Sequence, residues 1–355
     1  MKILVTGNMG YVGPLVARQL RQAHPDAVLV GYDSGYFAHC LTGAEVLPER
    51  LFDEQLFGDV RDLGPEIMGG IDSVVHLAAI SNDPMGDRFA GVTAEINYET
   101  SARVGRLARD AGVRSFVFAS SCSVYGVADG PPRRETDPVA PVTAYAKSKI
   151  ATEQALAELD APEMTITALR FATACGMSDR LRLDLVLNDF VACALASGRI
   201  TVLSDGTPWR PLIDVRDMAR AIDWAITRAP EHGGRMLVVN TSADNANYQV
   251  RDLAGAVAEA APGTTVDINT AAPADSRSYK VDFSLFASLA PHHQPQVSLA
   301  ASIGMLKSGL EAMGFHDEEF RASQLIRLRV LDRHIAAGRL AADLRWAGQQ
   351  AAAAA

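Results

Sequence analysis

Three side chains near the middle of the chain have the chemistry to move a proton together: Ser121, Tyr145 and Lys149. Tyr145 and Lys149 are four residues apart, about one helical turn, so a helix places phenol and ammonium on one face. A free tyrosine has a pKa of about 10, too high for a base at neutral pH. A nearby cation favours the phenolate and lowers that value. A serine hydroxyl beside the phenol can relay the proton or hold the substrate oxygen. The set suits proton exchange with a sugar or alcohol hydroxyl. The same Tyr/Lys spacing also describes an ordinary exposed helical pair, so the elements that position it decide.

Phe116-Val117-Phe118-Ala119 reads as a buried strand, and Ser120, Ser121 and Ser123 follow it. At the start of the chain, Ile3 to Thr6 is a short strand-like run. It leads into Gly7-Asn8-Met9-Gly10-Tyr11-Val12-Gly13 and then a helical pattern with Leu15, Val16 and Leu20, where Pro14 suits a first helical turn. Strand, glycine turn and helix form a dinucleotide site, because the glycines admit a pyrophosphate and the helix N-terminus supplies positive potential. A second apolar run, Ala27 to Tyr32, ends in Asp33, twenty residues after Gly13, where a carboxylate binds the adenosine ribose diol. Ser34 and Gly35 follow rather than arginine, and a carboxylate repels a 2′-phosphate, so NAD is expected over NADP. The alternative for Asp33 is a solvated acid at a strand end.

Residues 34 to 56 read as an irregular connection. Val74 to Ala79 reads as a strand ending in small residues, with His76 as a packed core histidine, and about 88–111 as a helix carrying Asn97. Strand and helix alternation up to about residue 170 predicts an α/β fold with a doubly wound parallel (Rossmann) sheet. The expected division is an NAD-binding domain over 1–171, rejoined by about 205–245, a smaller α/β substrate-binding region over 172–347, and a low-complexity tail, 348–355. A long amphipathic helix is expected from about Asp317 to Trp346.

Composition excludes several classes. A net charge of −9 argues against a nucleic-acid partner, and no apolar run is long enough to span a bilayer. MKILVTG leads directly into a strand and glycine turn, unlike a secretory signal. Four scattered cysteines, Cys40, Cys122, Cys175 and Cys193, form no CxxC pair. They suggest a reducing, cytoplasmic setting and no metal.

Taken in order, TGNMGYVG, Asp33, Asp59-Val60, HLAA, FASSCSVYG and YAKSK resemble the extended short-chain dehydrogenase/reductase family, in its NAD-dependent sugar-nucleotide epimerase and dehydratase branch. The resemblance is strong to about residue 220 and looser beyond. It implies that Gly7, Gly10 and Gly13, with Met9, Tyr11 and Val12, cradle the NAD diphosphate. Asp33 holds the ribose, and Asp59 and Val60 border the adenine. Leu77, Ala78, Ala79, Asn97 and Ser120 lie on the cofactor side, and Lys149 bonds the nicotinamide ribose. Tyr145 is the acid/base and Ser121 the catalytic Ser/Thr. Ser123 and Thr173 contact the sugar, and Asn188, Arg210 and Arg277 the substrate diphosphate. Family members often pair through helices corresponding to about 88–111 and 145–159, so a homodimer is expected. Ala151, Ala155 and Leu156 are candidates for its seam, although the core competes for them.

The departures are informative. Dehydratases of the family follow the catalytic threonine with Asp-Glu, and decarboxylases keep a glutamate two residues after it. Here Cys122 and Ser123 stand there. Cys122 is read as an alternative acid/base or as a buried thiol, and Trp209 as a nucleobase stacker or a core cover. The expectation is an NAD-dependent epimerase of a nucleotide-linked sugar, at C4. The alternatives are a net NAD(P)-linked reductase or dehydrogenase of a keto-sugar and a catalytically idle NAD-sensing protein.

Overall fold

The computed structural model describes residues 1–128, 130–272 and 278–348. Its centre is a seven-stranded parallel sheet. β1 (Lys2–Thr6), β2 (Val28–Asp33), β3 (Glu54–Phe57), β4 (Ser73–His76), β5 (Ser115–Ser121) and β6 (Thr165–Phe171) come from the first half. After β7 (Thr173–Cys175), β8 (Arg199–Val202) and β9 (Trp209–Asp214), β10 (Met236–Thr241) returns to the edge, giving the order β10-β6-β5-β4-β1-β2-β3. Near-continuous apolar strands are what a sheet covered on both faces requires. Side chains of β1 alternate between two cores: Ile3 and Val5 face one, Leu4 the other.

Helix α1 (Gly13–Ala23) packs on one face of the sheet. On the other lie α2 (Asp83–Arg88), α3 (Ala90–Ala94), α4 (Ser101–Asp110) and α5 (Ala144–Ala157). The helix expected over 88–111 starts earlier, because Asn82 caps it by accepting the Met85 amide at 2.9 Å. A π-helical turn, Glu95–Thr100, interrupts it. Chain order reverses between β1 and β4, so the crevice beyond their C-terminal ends is the topological switch point where such sheets bind ligands.

The second half builds over that crevice. It comprises α6 (Val186–Ser197), α7 (Val215–Thr227), β11 (Asn247–Gln249), α8 (Val250–Ala260), β12 (Thr265–Ile268), α9 (Ser284–Leu289), α10 (Leu299–Ala312) and α11 (Arg327–Ala336). β11, β9 and β7 form one small sheet, and β12 and β8 another. Helix α7 departs from this pattern and packs beside α1 on the large sheet.

Two expectations need correction. The stretch 34–56 contains the start of edge strand β3, whose half-exposed EQLF gives little apolar signal. The long helix expected over 317–346 is only α11, flanked by a turn at Phe320–Ala322 and a non-helical return. Gly338 has φ +66° and Leu344 φ +61°, which ends the helix and turns the chain back. This C-terminal strap then packs on the loop after Asp33. Leu331, Leu340 and Leu344 enter the core on the α4 side. His334 Nε2 lies 3.1 Å from the Tyr36 carbonyl, and Trp346 donates to the Ser34 carbonyl at 2.6 Å. Among the described residues, no helix is long and apolar enough to cross a membrane.

Candidate active site

The crevice is a cavity of about 1210 Å³. At one end lie Gly7, Gly10, Tyr11, Val12 and Asp33, with Asp59 and Val60 beyond. Leu77, Ala78 and Ala79 line it as well, together with Ser121, Ser123, Tyr145 and Lys149, and so do Thr173 and Arg210. A Cβ on Gly7, which has φ +73°, meets the Ala78 backbone at 2.6 Å; on Gly13 it meets the Asn8 carbonyl at 1.9 Å. Only glycine lets β1, the turn and the β4 end approach this closely. Asp33 accepts the Met9 amide at 2.9 Å and the Gly35 amide at 2.7 Å, which aims its carboxylate and leaves acceptor capacity for a diol. Burial raises its pKa, and those two amides oppose the rise. Arg180, whose charge reaches Asp33, is itself held by Glu49 at 2.6 Å. The glycine cradle and the aimed carboxylate fit NAD.

Tyr145 is the second residue of α5. Thr143 caps that helix by accepting the Ala146 amide at 3.2 Å and donates to Asp83 at 2.7 Å. Ser121 ends β5, and its oxygen accepts the Ser123 amide at 3.1 Å, so its proton remains to be given to the phenol, its side-chain partner. Lys149 Nζ donates to the Ala119 carbonyl at 2.7 Å and lies 5.4 Å from the Tyr145 ring centre and 4.8 Å from that of Phe118.

The titration state differs from the simple expectation. Burial, with Asp83, raises the Tyr145 pKa to about 12, although Ser121 and Arg182 oppose it. Burial lowers Lys149 to about 7, with Glu153 opposing. Desolvation therefore dominates both shifts in the ligand-free protein, disfavouring the phenolate of Tyr145 and the ammonium of Lys149.

Several expected contacts are spent inside the protein. Ser120 borders the cavity, but its hydroxyl donates to Glu153 at 2.5 Å, within a buried network where Arg170 holds that carboxylate at 2.6 Å. Asn97 is buried, accepting the Ile80 amide at 2.8 Å and donating to its carbonyl at 2.9 Å; it shapes the loop after β4 from behind. Asn188 is fully buried: its oxygen accepts the Gly176 amide, and its nitrogen donates to the Tyr11 hydroxyl and the Arg182 carbonyl. No donor is left for a substrate diphosphate. Met9 and Gly13 shape the turn without lining the cavity. Cys122 is buried with its thiol on the Arg170 carbonyl at 3.0 Å and its pKa pushed far up by burial, so the buried-thiol reading holds. Trp209 faces Lys280, 5.2 Å from its ring centre, and does not line the cavity. Leu156 belongs to the core. His76 is a core histidine between Thr6 and Ser101, 2.8 Å from each, lowered to about 3 by burial and by Lys149. Arg277 lies outside the described residues.

Sequence reasoning passed over Arg182. It lines the cavity, donates to Ser81 at 2.9 Å and is held by Asp184 at 2.6 Å. Its charge reaches Tyr11 and Tyr145. Alternation in Leu181-Arg182-Leu183-Asp184 is its only sequence signal, and many exposed strands share that pattern.

The fold and cavity define a dinucleotide-dependent enzyme, with Ser121, Tyr145 and Lys149 together on the cavity lining. Residues 3–239, more than half of the chain, match the NAD dependent epimerase/dehydratase family, and the chain belongs to it. It is 28% identical over 241 residues to a UDP-glucose 4-epimerase of Lactobacillus helveticus, covering 63% of this chain and 69% of that protein. It is also 28% identical over 266 residues to a dTDP-glucose 4,6-dehydratase of Streptomyces griseus, covering 73% and 78%. Among solved structures, a UDP-glucose-4-epimerase from Stenotrophomonas maltophila, with bound NAD and formylated UDP-arabinopyranose, superposes with a TM-score of 0.74 at 24% identity, covering 88% of this chain and 99% of that one.

Proposed function

We propose that the protein is an NAD-dependent epimerase of a nucleotide-linked sugar, inverting C4 through a transient keto-sugar. The observation that carries this reading is the Ser121-Tyr145-Lys149 set facing one cavity, with Cys122 and Ser123 at the sequence positions where the resemblance puts the carboxylates of dehydration. NAD held by the glycine turn and Asp33 would supply the reversible hydride acceptor for the carbinol carbon. Tyr145 takes the proton of the oxidised hydroxyl and gives it back when the opposite face is reduced. Ser121, whose single hydroxyl proton meets the phenol in the ligand-free protein, turns it to that oxygen when the sugar is bound. Lys149 anchors the nicotinamide ribose and, as an ammonium, favours the phenolate.

Gly7, Gly10, Tyr11 and Val12 hold the cofactor diphosphate, Asp33 the adenosine ribose, and Leu77, Ala78 and Ala79 the nicotinamide side. On this reading residues 1–171 carry NAD, with about 205–245 returning to them, and 172–347 carry the sugar nucleotide. Ser123, Thr173 and Arg210 contact the substrate. Ser123 Oγ is buried without a partner, which supports a role for it as a sugar contact. Four buried free cysteines support a cytoplasmic setting. Pairing through the helices at 88–110 and 144–157 into a homodimer completes the proposal; Tyr98, exposed on the first of them, supports it.

The test is incubation with UDP-, GDP-, CDP- and dTDP-sugars, following NADH absorbance and sugar stereochemistry. Interconversion of two epimers without net NADH is expected. Stoichiometric NADH with an oxidised sugar, or activity only with NADPH, would overturn the proposal in favour of a net oxidoreductase.

A further inference from the structure

The C-terminal strap delivers a cation into the cavity that the proposed reaction has not used. Arg327 opens α11; it is only 1% exposed, yet it lines the cavity. Its guanidinium donates to the Arg180 carbonyl at 2.6 Å and the Gln324 carbonyl at 3.3 Å, and lies 4.9 Å from the Phe37 ring centre. A guanidinium has five N–H donors. Those contacts orient the group without neutralising it, and among the described residues no carboxylate lies within 4 Å. The acids nearby are committed, Asp184 to Arg182 and Glu49 to Arg180. Burial accordingly lowers the Arg327 pKa to about 10.

Arg228 shows how this chain satisfies a buried arginine that faces no ligand. Among the described residues it also has no carboxylate partner, but Thr167 and the carbonyls of His232, Gly234, Ile166 and Arg235 take up its guanidinium, and it does not line this cavity. Arg327 is left with donors to spare at a cavity wall.

Its place narrows the ligand. Phe37 is four residues beyond Asp33, and the Arg180 carbonyl that holds Arg327 lies two residues after Ser178, whose hydroxyl donates to the Tyr11 carbonyl of the glycine turn at 2.7 Å. Arg327 is therefore tied to the ribose end and to the glycine turn, on the wall formed by the second half of the chain. The first amides of a helix have no intrahelical acceptor, and Ile326 offers no side-chain cap to those of α11, whose first residues, Arg327, Leu328 and Arg329, line the same cavity. A guanidinium and a helix start on one wall suit phosphate oxygens.

We propose that Arg327, with the start of α11, forms a second jaw on the diphosphate of the bound dinucleotide, opposite the Gly7–Gly13 turn. The strap thereby closes over the cofactor. The proposal rests on NAD being the cofactor and not on the epimerase reaction, so a protein that failed to epimerise would leave the test intact.

The test is calorimetric titration of NAD-stripped protein with NAD, ADP and adenosine, alongside thermal melts of the ligand-free protein. Arg327→Met is expected to weaken NAD and ADP binding by roughly 10–100-fold, the range for losing hydrogen bonds to a charged group. Adenosine affinity and the ligand-free melting temperature should not fall, because an un-neutralised buried cation has been removed. Arg327→Lys keeps the charge without the fork and should recover part of the loss. NAD affinity within two-fold of wild type in Arg327→Met would overturn the proposal. So would a lower ligand-free melting temperature with NAD, ADP and adenosine weakened alike, because the guanidinium would then serve only the strap's packing.

Discussion

The shell behind the cavity and the cavity wall itself treat buried charge in opposite ways. In the shell, three buried arginines are neutralised by carboxylates, Arg170 on Glu153, Arg180 on Glu49 and Arg61 on Asp59, each at 2.6 Å, and a fourth, Arg228, is taken up by Thr167 and backbone carbonyls. At the wall, Lys149 and Arg327 are buried with no carboxylate within 4 Å among the described residues, and both have lowered pKa values. Arg182 stands between the two classes, lining the cavity while held by Asp184. Shell pairs hold segments of the chain together, and breaking one leaves a buried charge. Wall cations instead carry a standing desolvation cost that an anionic or oxygen-rich ligand relieves.

The contrast can be broken by substitution. The largest effect is expected at the wall and on activity alone: Tyr145→Phe removes the proton acceptor and should lower kcat by about 10²–10⁴-fold, with calorimetric NAD affinity near wild type. Activity near wild type would remove Tyr145 from its role. Next is the intermediate case. Arg182→Met leaves Asp184 with its Asn82 hydrogen bond but no cation, and chemical denaturation should show a loss toward the lower end of about 3–5 kcal/mol in the ligand-free protein.

The smallest effect carries the opposite sign. Below pH 7, Lys149 is charged both folded and unfolded, and the fold bears the full desolvation cost. Between about 7, its folded value, and 10.5, its unfolded value, the unfolded chain binds more protons, so this group's contribution to stability rises with pH. Lys149→Met should therefore stabilise the ligand-free protein, by on the order of a few kcal/mol at pH 6 and by progressively less toward pH 10. Denaturation midpoints measured across that range check both sign and slope; destabilisation at pH 6 would place Lys149 with the shell.

What the sequence revealed divides along a similar line. That the glycine turn, Asp33, Ala78 and Tyr145 meet at one cavity was legible because the expected roles need particular residue types at short, fixed spacings or at strand ends. Asn188 and Asn97 misled because a side chain on the right element can still turn inward, and only the fold reveals that Gly176 and Ile80 occupy their amides. Arg327 was hidden because a periodic, charged stretch read as one long helix, whereas Gly338 and the burial of Leu340 and Leu344 fold it back onto the loop after Asp33. Whether an arginine is paired is decided by partners far away in sequence, as Arg180 and Glu49 show.

The central claim is that one hydride leaves the sugar and returns to the same carbon while Tyr145 moves the proton. The direct measurement uses a nucleotide sugar deuterated at C4, incubated with the NAD-loaded protein in ordinary water, with the product read by mass and NMR. The account predicts the C4 epimer with deuterium retained at C4 and no NADH released. Exchange of that deuterium for solvent hydrogen, or accumulation of a keto-sugar with labelled NADH in solution, would contradict it.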